Sequence, residues 1–373
     1  MKKKNCHLIS TNRADLSLLY KTMQRLNKLN DINLKNIFLG EISGEKEYIE
    51  KKFRISNKVF LGNGIVYGST NSLIKQSLNS ASLYSVYLEK NIKPDFVICL
   101  GDRYELLIIA QVLTIYRIPI IHIHGGDISY GALDNDIRFS LSKLAKLHCV
   151  TTKKALQNLR QIGEKAWRIC CVGSPGRELL KDFKKKVTRK HLFKFLEIEP
   201  KKIAFVAYHA ETADAKSISF SETVLDSLIE NGLLPVVTRP NHDPYSDLIR
   251  KELEDYSNKR RIKLLNKSVG PEFMVALMEH SEIMVGNSSS GIIEASLFNL
   301  PVINIGIRQK GREHDKNVIS TNNDYNSISK LIKKYKGKKI KISKSIYEHG
   351  SSSEKIVNHI LKNFSKLREE KKY

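Results

Sequence analysis

Short apolar runs alternate with longer amphipathic stretches along almost the whole chain. The apolar runs are Asn5–Ser10, Asn36–Leu39, Phe96–Leu100, Ile118–His122, Leu147–Thr151 and Arg168–Val172, then Ile203–Ala207, Leu234–Thr238, Ile262–Leu265, Ile283–Val285 and Val302–Ile305. They are rich in Ile, Val, Leu and Cys, the pattern of strands buried on both faces. Between them, Ala14–Leu29, Ser69–Glu89, Arg103–Tyr116 and Glu222–Asn231 carry helical spacing. Strand–helix alternation of this kind predicts an α/β fold with parallel sheets covered by helices. Ligands of such sheets bind beyond the carboxyl ends of the strands. Residues 178–202 break the rhythm: they are basic, helical and lack a strand, and a second series starts at Ile203. The expected organisation is an N-terminal domain over 1–180, a C-terminal domain over 181–350 and a terminal amphipathic helix over 351–373. A functional cleft between the two domains is expected.

The length of 373 residues suits two domains of about 100–200 residues each. Hydrophobic residues make up 41%, enough for real cores. No apolar run approaches the ~18 residues of a membrane helix. The start Met1-Lys2-Lys3-Lys4 leads into Ile9-Ser10-Thr11-Asn12-Arg13, which turns polar too soon for a signal peptide. A cytoplasmic protein without membrane insertion is expected. Cys6, Cys99, Cys149, Cys170 and Cys171 fit that compartment, and none has the spacing of a zinc site or redox pair. The formal net charge of +24 raises nucleic acid as a partner. The excess is scattered lysine, as in Lys184-Lys185-Lys186, with no aromatic-interleaved basic motif. A lysine-rich solvated surface is the simpler reading, and no nucleic-acid partner is expected.

Several polar clusters sit where the apolar runs end. Gly286-Asn287-Ser288-Ser289-Ser290-Gly291 lies between a strand ending at Val285 and a predicted helix over Ile292–Phe298. Small residues at such a turn let N–H groups approach a phosphate, and a helix N-terminus adds partial positive charge. A plain Ser-capped helix reads equally well. Glu294 lies one turn on, suited to a sugar diol. Gly101-Asp102-Arg103 closes another run, where Asp102 could simply cap the next helix. His122-Ile123-His124-Gly125-Gly126-Asp127 is followed by Asp134-Asn135-Asp136-Ile137-Arg138. His122 and His124 on one side of an extended chain could form a metal pair, but further ligands are lacking and no metal is expected. Carboxylates in unlike environments can serve as general acid and base, whereas the plain alternative is a loop capping a helix over Asp134–His148. His209 follows Ile203–Ala207 and could donate to a phosphate or a sugar hydroxyl. Asn241 lies in Arg239-Pro240-Asn241 and offers both donor and acceptor. Arg308, Lys310 and Arg312, interleaved with Gly306 and Gly311, suit phosphate recognition.

As a set, these stretches resemble the hydrolysing UDP-N-acetylglucosamine 2-epimerases of sialic acid biosynthesis and their relatives. The matching residues are Asn12-Arg13-Ala14-Asp15 with Ser17, Gly101-Asp102-Arg103, His124-Gly125-Gly126-Asp127, Asp134 with Ile137-Arg138 and Gly173-Ser174-Pro175. They continue with His209, Glu211 and Thr212, with Gly286 to Gly291 and Glu294, and with Asn304-Ile305-Gly306 and Arg308 to Arg312. The resemblance implies two Rossmann-like domains facing a cleft, as in the glycosyltransferase-B architecture. It implies that Arg13, Ser17, Arg103, His209, Asn241, Ser268, Ser288, Ser289, Glu294 and Arg308 line a UDP-sugar site. It implies that Asp102, Asp127 and Asp134, with His209, carry catalysis. The implied reaction is elimination of UDP from UDP-N-acetylglucosamine, then hydration to free N-acetylmannosamine. That hydrolysis at a glycosyl oxygen needs no cofactor. A homo-oligomer, dimer or tetramer, is also implied. Two departures bear on the sugar: Asp127 stands where the family usually has Glu, and Ala210 where it usually has Pro. An alternative within the resemblance is a hydrolysing 2-epimerase of UDP- or GDP-linked N,N′-diacetylbacillosamine, for legionaminic acid. An alternative of another class is a glycosyltransferase of the same architecture.

Overall fold

A computed structural model describes residues 3–64, 69–184, 186–211, 221–240, 246–259, 261–265, 270–369 and 371. Among these, the strands form two sheets, every pairing of which is parallel. The first sheet holds β1 (Lys4–Ser10), β2 (Ile32–Phe38), β3 (Lys58–Phe60), β4 (Phe96–Leu100), β5 (Ile120–Ile123), β6 (Leu147–Val150) and β7 (Ile169–Cys171), in the order β3-β2-β1-β4-β5-β6-β7. The second holds β8 (Ile203–Ala207), β9 (Leu234–Thr238), β10 (Lys263–Leu265), β11 (Ile283–Gly286), β12 (Val302–Ile305) and β13 (Val318–Thr321), in the order β10-β9-β8-β11-β12-β13. Both are Rossmann-like: the chain runs outward from a central strand, returns, and runs out the other way.

The chain divides into two compact units. One comprises Met1–Asp127, Asp134–Leu179 and Tyr347–Tyr373, and the other Ile128–Leu133 and Leu180–Ile346. Two segments depart from a simple sequential division. Ile128–Leu133, directly after Asp127, belongs with the second unit, and the chain from Tyr347 onward belongs with the first. The returning tail is held by specific bonds. Ser174 N–H donates to Tyr347 C=O at 3.0 Å, and Ser353 donates through N–H and hydroxyl to Glu178 at 2.9 and 2.6 Å.

The helices follow the apolar spacing. In Tyr104–Ile115, Leu106, Ile109, Ala110 and Leu113 are buried at i, i+3, i+4 and i+7, and they join Val97, Cys99 and Leu141 in one core. Each fully buried Leu or Ile contributes about 1.5–3 kcal/mol by leaving water. In the second unit, Val206, Val237, Ile283 and Ile303 from adjacent strands pack with Leu225, Leu228 and Ile328. Burial pushes the Cys99 thiol up to about 12, so it packs as a small apolar group.

Some elements differ from the expectation. β2 begins at Ile32 rather than Asn36, because Asn33 and Lys35 give its first half an alternating pattern. Asn36 is tolerated inside it because its side chain donates to Ser56 C=O at 2.8 Å. β3 and β13 are short edge strands without an apolar run. The helix expected over Asp134–His148 ends at Leu144, leaving room for β6. That expected over Ile292–Phe298 is replaced by an α-helical turn at Ser289–Ile293 and a 3-10 turn at Ala295–Phe298. The terminal helix spans Ser352–Lys362 and gives way to a 3-10 turn, Phe364–Lys366.

A buried ionic cluster fastens the last described residue. Glu164 pairs with His148 at 3.2 Å and accepts from Lys371, whose ammonium also donates to Lys143 C=O at 2.9 Å. Burial alone would raise the Glu164 carboxyl, but hydrogen bonds and charge from His148 and Lys371 prevail and hold it at about 2. A carboxylate depressed in the fold adds stability that is present above its unfolded value of 4.5 and lost as pH falls toward 2. Glu164→Gln is therefore expected to flatten the acid limb of the stability profile over that window, measured by urea unfolding at a series of pH values. An unchanged acid limb would show that the cluster does not couple to folding.

Candidate active site

In each sheet the direction of winding reverses beside its first strand, and the chemistry-bearing residues follow the strands there. In the first unit these strands are β1 and β4, with β5 next to β4. Beyond β1, Asn12 and Asp15 cap the helix Arg13–Asn27 reciprocally. Asp15 accepts from the N–H and hydroxyl of Thr11, both at 2.9 Å, and burial raises its carboxyl to about 6. Asp15 is thus a structural cap. Arg13 pairs with Glu45 and lies 4.8 Å from the Tyr48 ring centroid. The Ser17 hydroxyl sits one turn on, 3.4 Å from Arg13 C=O. Beyond β4, Arg103 is the residue preceding the helix Tyr104–Ile115, and Asp102 does not cap it. Arg103 Nε lies 3.6 Å from the buried carboxylate of Glu105.

Asp102 instead takes a hydrogen bond from Arg138. Arg138 is 1% exposed and lies on the helix Asp134–Leu144. Its other terminal nitrogen donates to Asp127 C=O at 2.8 Å. Burial would lower the Arg138 pKa, yet the charges of Asp102, Asp127 and Asp134 outweigh burial and raise it. The three aspartates singled out in the sequence therefore gather around one buried guanidinium. The Thr151 hydroxyl donates to Asp127 Oδ1 at 2.9 Å from the end of β6.

The two glycines before Asp127 make this placement possible. A side chain at Gly125 would meet His122 Nδ1 and Ser142 Oγ at 2.8 Å, and one at Gly126 would lie 2.4 Å from Ala155 C=O. Gly126 also has φ +80°, where only glycine is unstrained. The metal-pair geometry considered for His122 and His124 is not formed. His124 has φ +64°, so the chain is not extended there. Both ring nitrogens of His122 are engaged, with Gly101 C=O at 2.7 Å and Ser142 Oγ at 3.0 Å. Burial lowers its pKa to about 3, so it is a neutral structural residue.

In the second unit, the loops after β8, β11 and β12 are tied together. The Asn287 side chain accepts from His209 N–H and donates to His209 C=O, both at 2.8 Å. Its own C=O accepts from Gln309 Nε2 at 2.9 Å and from Arg308 at 3.4 Å. Glu211 Oε1 accepts from the N–H groups of Ile307 and Arg308 at 2.7 and 3.3 Å. Gly286 (φ +142°) packs so tightly that an added Cβ would lie 2.1 Å from Ala207 C=O. Ser288 precedes the five-residue helical turn and accepts from Ser290 N–H at 3.4 Å, and Ser289 opens that turn. Glu294, half-buried, ends it. So short a helix builds little dipole, and any anion held here would be met by turn N–H groups and hydroxyls.

Of the residues expected at the site, His209, Ser288, Ser289, Glu294 and Arg308 follow β8, β11 and β12, while Asn241 and Ser268 lie outside the described residues. The cations of the 308–312 loop differ in setting. Arg308 is buried against Asn287, Arg312 bonds Gln309 at 2.9 Å, and Lys310 is exposed. Sequence reasoning did not single out Arg138, Asn287 or Gln309 individually. Their types gave little signal, although all three sat inside quoted motifs. Asn287→Ala leaves a backbone donor and acceptor of His209 and the β8–β11 tie unmet. It is expected to cost about 1–3 kcal/mol of stability, seen as a lower urea midpoint. A midpoint within error of wild type would show the tie to be replaceable.

The family model for UDP-N-acetylglucosamine 2-epimerase matches residues 46–361. The chain belongs to this family. Within the UDP-N-acetylglucosamine 2-epimerase family, it is 33% identical over 354 residues to the hydrolysing GDP/UDP-N,N′-diacetylbacillosamine 2-epimerase of Campylobacter jejuni, covering 91% of this chain and 90% of that one. It is 31% identical over 246 residues to the UDP-N-acetylglucosamine 2-epimerase of Neisseria meningitidis, covering 66% and 64%. A crystal structure of UDP-N-acetylglucosamine 2-epimerase from Neisseria meningitidis, bound to UDP-N-acetylglucosamine, superposes with TM-score 0.78 at 19% identity, over 96% of this chain and 100% of that one. That likeness gives the fold. The chain is an enzyme of the hydrolysing 2-epimerase kind.

Proposed function

We propose that the enzyme converts a UDP- or GDP-linked N,N′-diacetylbacillosamine and water into the free 2-epimeric sugar and the nucleoside diphosphate. The observation that carries the reaction is the buried guanidinium of Arg138 among Asp102, Asp127 and Asp134. It holds carboxylates in unlike settings: Asp127 is buried, Asp102 is 25% exposed and Asp134 begins a helix. Such carboxylates can divide acid and base roles. The sugar is favoured by reach: the match to the Campylobacter enzyme runs over nine-tenths of both chains, that to the Neisseria enzyme over about two-thirds. UDP-N-acetylglucosamine, giving N-acetylmannosamine, is the second reading, supported by the Neisseria relative.

The hydrogen at C2 of an N-acetylated hexose is weakly acidic. Its removal becomes feasible when the anomeric C1–O bond breaks in the same process and the electron pair leaves with the diphosphate. The product of that step is a 2-acetamidoglycal. Water then adds across the double bond, hydroxyl at C1 and proton at C2 from the opposite face. Asp127 and Asp134 form the proton-transfer pair in this reading, with Asp102 and His209 supporting. Arg13, Ser17 and Arg103 bind the substrate from the first unit's strand ends. Ser288, Ser289 and Arg308 meet the diphosphate and Glu294 the ribose, with Asn241 and Ser268 completing the binding set. Fixed donors at the departing phosphate act where charge develops.

NMR in heavy water tests the reading with three substrates: UDP- and GDP-linked N,N′-diacetylbacillosamine and UDP-N-acetylglucosamine. The expected result is a free sugar, deuterated at C2, from a bacillosamine nucleotide. Retained C2 hydrogen would overturn the elimination. An intact epimerised nucleotide sugar would make the enzyme nonhydrolysing, and transfer to an added acceptor would make it a glycosyltransferase.

A further inference from the structure

Beside the carboxyl ends of β2 and β3, within the first unit, lies a cavity of about 530 Å³. That volume falls in the range of small-molecule sites, about 300–1,000 Å³. Its wall offers hydroxyls and amides from Ser43, Asn63, Ser72, Gln76 and Asn79. Leu61 and Leu83 add an apolar patch. Among the described lining residues, none is acidic and Lys75 is the one charged side chain. One wall depends on close backbone approach: a Cβ at Gly64, which has φ +68°, would lie 2.4 Å from Gly44 N.

We propose that this cavity binds a free N-acetylated sugar, of the kind the reaction releases, at a place distinct from the nucleotide. Hydroxyl and amide side chains match sugar hydroxyls and an acetamido group in both donor and acceptor capacity. The leucines match an acetyl or ring-borne methyl. One ammonium does not balance a diphosphate, which disfavours an intact nucleotide sugar. The choice of sugar rests on the hydrolysing reaction proposed above; the cavity's chemistry does not.

The cavity also has a physical line to the substrate-binding residues. Gln76 Nε2 donates to Glu105 Oε1 at 3.2 Å, and Glu105 holds Arg103 at 3.6 Å. Gly40 (φ +61°) leaves room for this bridge, since its Cβ would stand 3.1 Å from Glu105 Oε1 and 3.3 Å from Gln76 Nε2. A sugar that draws on Gln76 shifts the support of Arg103, so occupancy should be read in the KM for nucleotide sugar rather than in kcat.

The test uses the full chain saturated with UDP and titrated with N-acetylmannosamine, followed by saturation-transfer NMR and calorimetry. Binding is expected to persist under UDP. Asn79→Trp, which puts bulk on the cavity wall, is expected to weaken it by about tenfold while basal kcat with nucleotide sugar is retained. Asn63→Ala provides a milder variant with the same direction if the tryptophan disturbs folding. Absence of binding, or affinity unmoved in both variants, would overturn the proposal. Binding is read without turnover, so its failure is separable from a failure of the proposed reaction.

Discussion

Asp127→Asn is expected to reduce kcat by about 10²–10⁴-fold while leaving the fold intact. Asparagine keeps the size of the side chain and can still accept from the Thr151 hydroxyl, which lies 2.9 Å from Asp127 Oδ1. The bond from Arg138 to residue 127 goes to its backbone carbonyl, so it also survives. What is lost is the ability to take a proton. Each factor of ten corresponds to about 1.4 kcal/mol of barrier, so the change is far larger than any expected from altered binding of an isosteric side chain. The checks are steady-state kinetics with the favoured nucleotide sugar and the rate of C2 deuteration. Activity above about one-tenth of wild type would remove Asp127 from the proton-transfer pair, given the size of a general-base contribution. Asp127→Glu restores the residue the resemblance leads one to expect. Because the Asp127 side chain is buried and held by the Thr151 hydroxyl, the longer side chain is expected to recover only part of the activity.

The central strands were legible because they are buried on both faces, and uniform apolar runs such as Phe96–Leu100 and Ile203–Ala207 have few other uses. Edge strands obey a weaker rule. Lys58–Phe60 and Val318–Thr321 each have a single neighbour in their sheet and can stay polar and short. The end of each central run also marked where polar residues gather, which is why Asp102, Asp127 and His209 stand out as candidates in the sequence, each following a strand. The partners of those residues could not be named, because they come from tertiary packing. Nothing in the spacing of Asp134-Asn135-Asp136-Ile137-Arg138 says that Arg138 turns inward to Asp102 rather than outward to water. The Asn287 side chain imitates a strand by bonding both backbone groups of His209, a role no composition rule assigns. Gly-Ser-rich segments mislead in the other direction. The 286–291 turn suggested a helix terminus as its source of charge, but the helix is one turn long.

Arg138→Met is expected to destabilise the protein by about 3–5 kcal/mol, the scale for removing one partner of a buried ion pair. Methionine fills much of the same space, so the loss is electrostatic more than steric. The deficit arises because Asp102 and the Asp127 carbonyl lose charge-assisted donors and because Asp102, Asp127 and Asp134 lose the positive charge they share. Arg138→Lys is expected to rescue little, since a single ammonium cannot span Asp102 and the Asp127 carbonyl as the planar guanidinium does. Urea unfolding measures the deficit, and a double-mutant cycle assigns it. Asp102→Asn alone leaves Arg138 buried with one charge fewer nearby. Added to Arg138→Met, it removes a stranded carboxylate and should return part of the lost stability. If the two substitutions were simply additive, Asp102 and Arg138 would be neighbours without energetic coupling, and the carboxylates would owe their arrangement to the backbone alone. Coupling with full recovery of stability but no recovery of turnover would separate the two tasks of the cluster: Arg138 holds the charges together, and the aspartates move the proton.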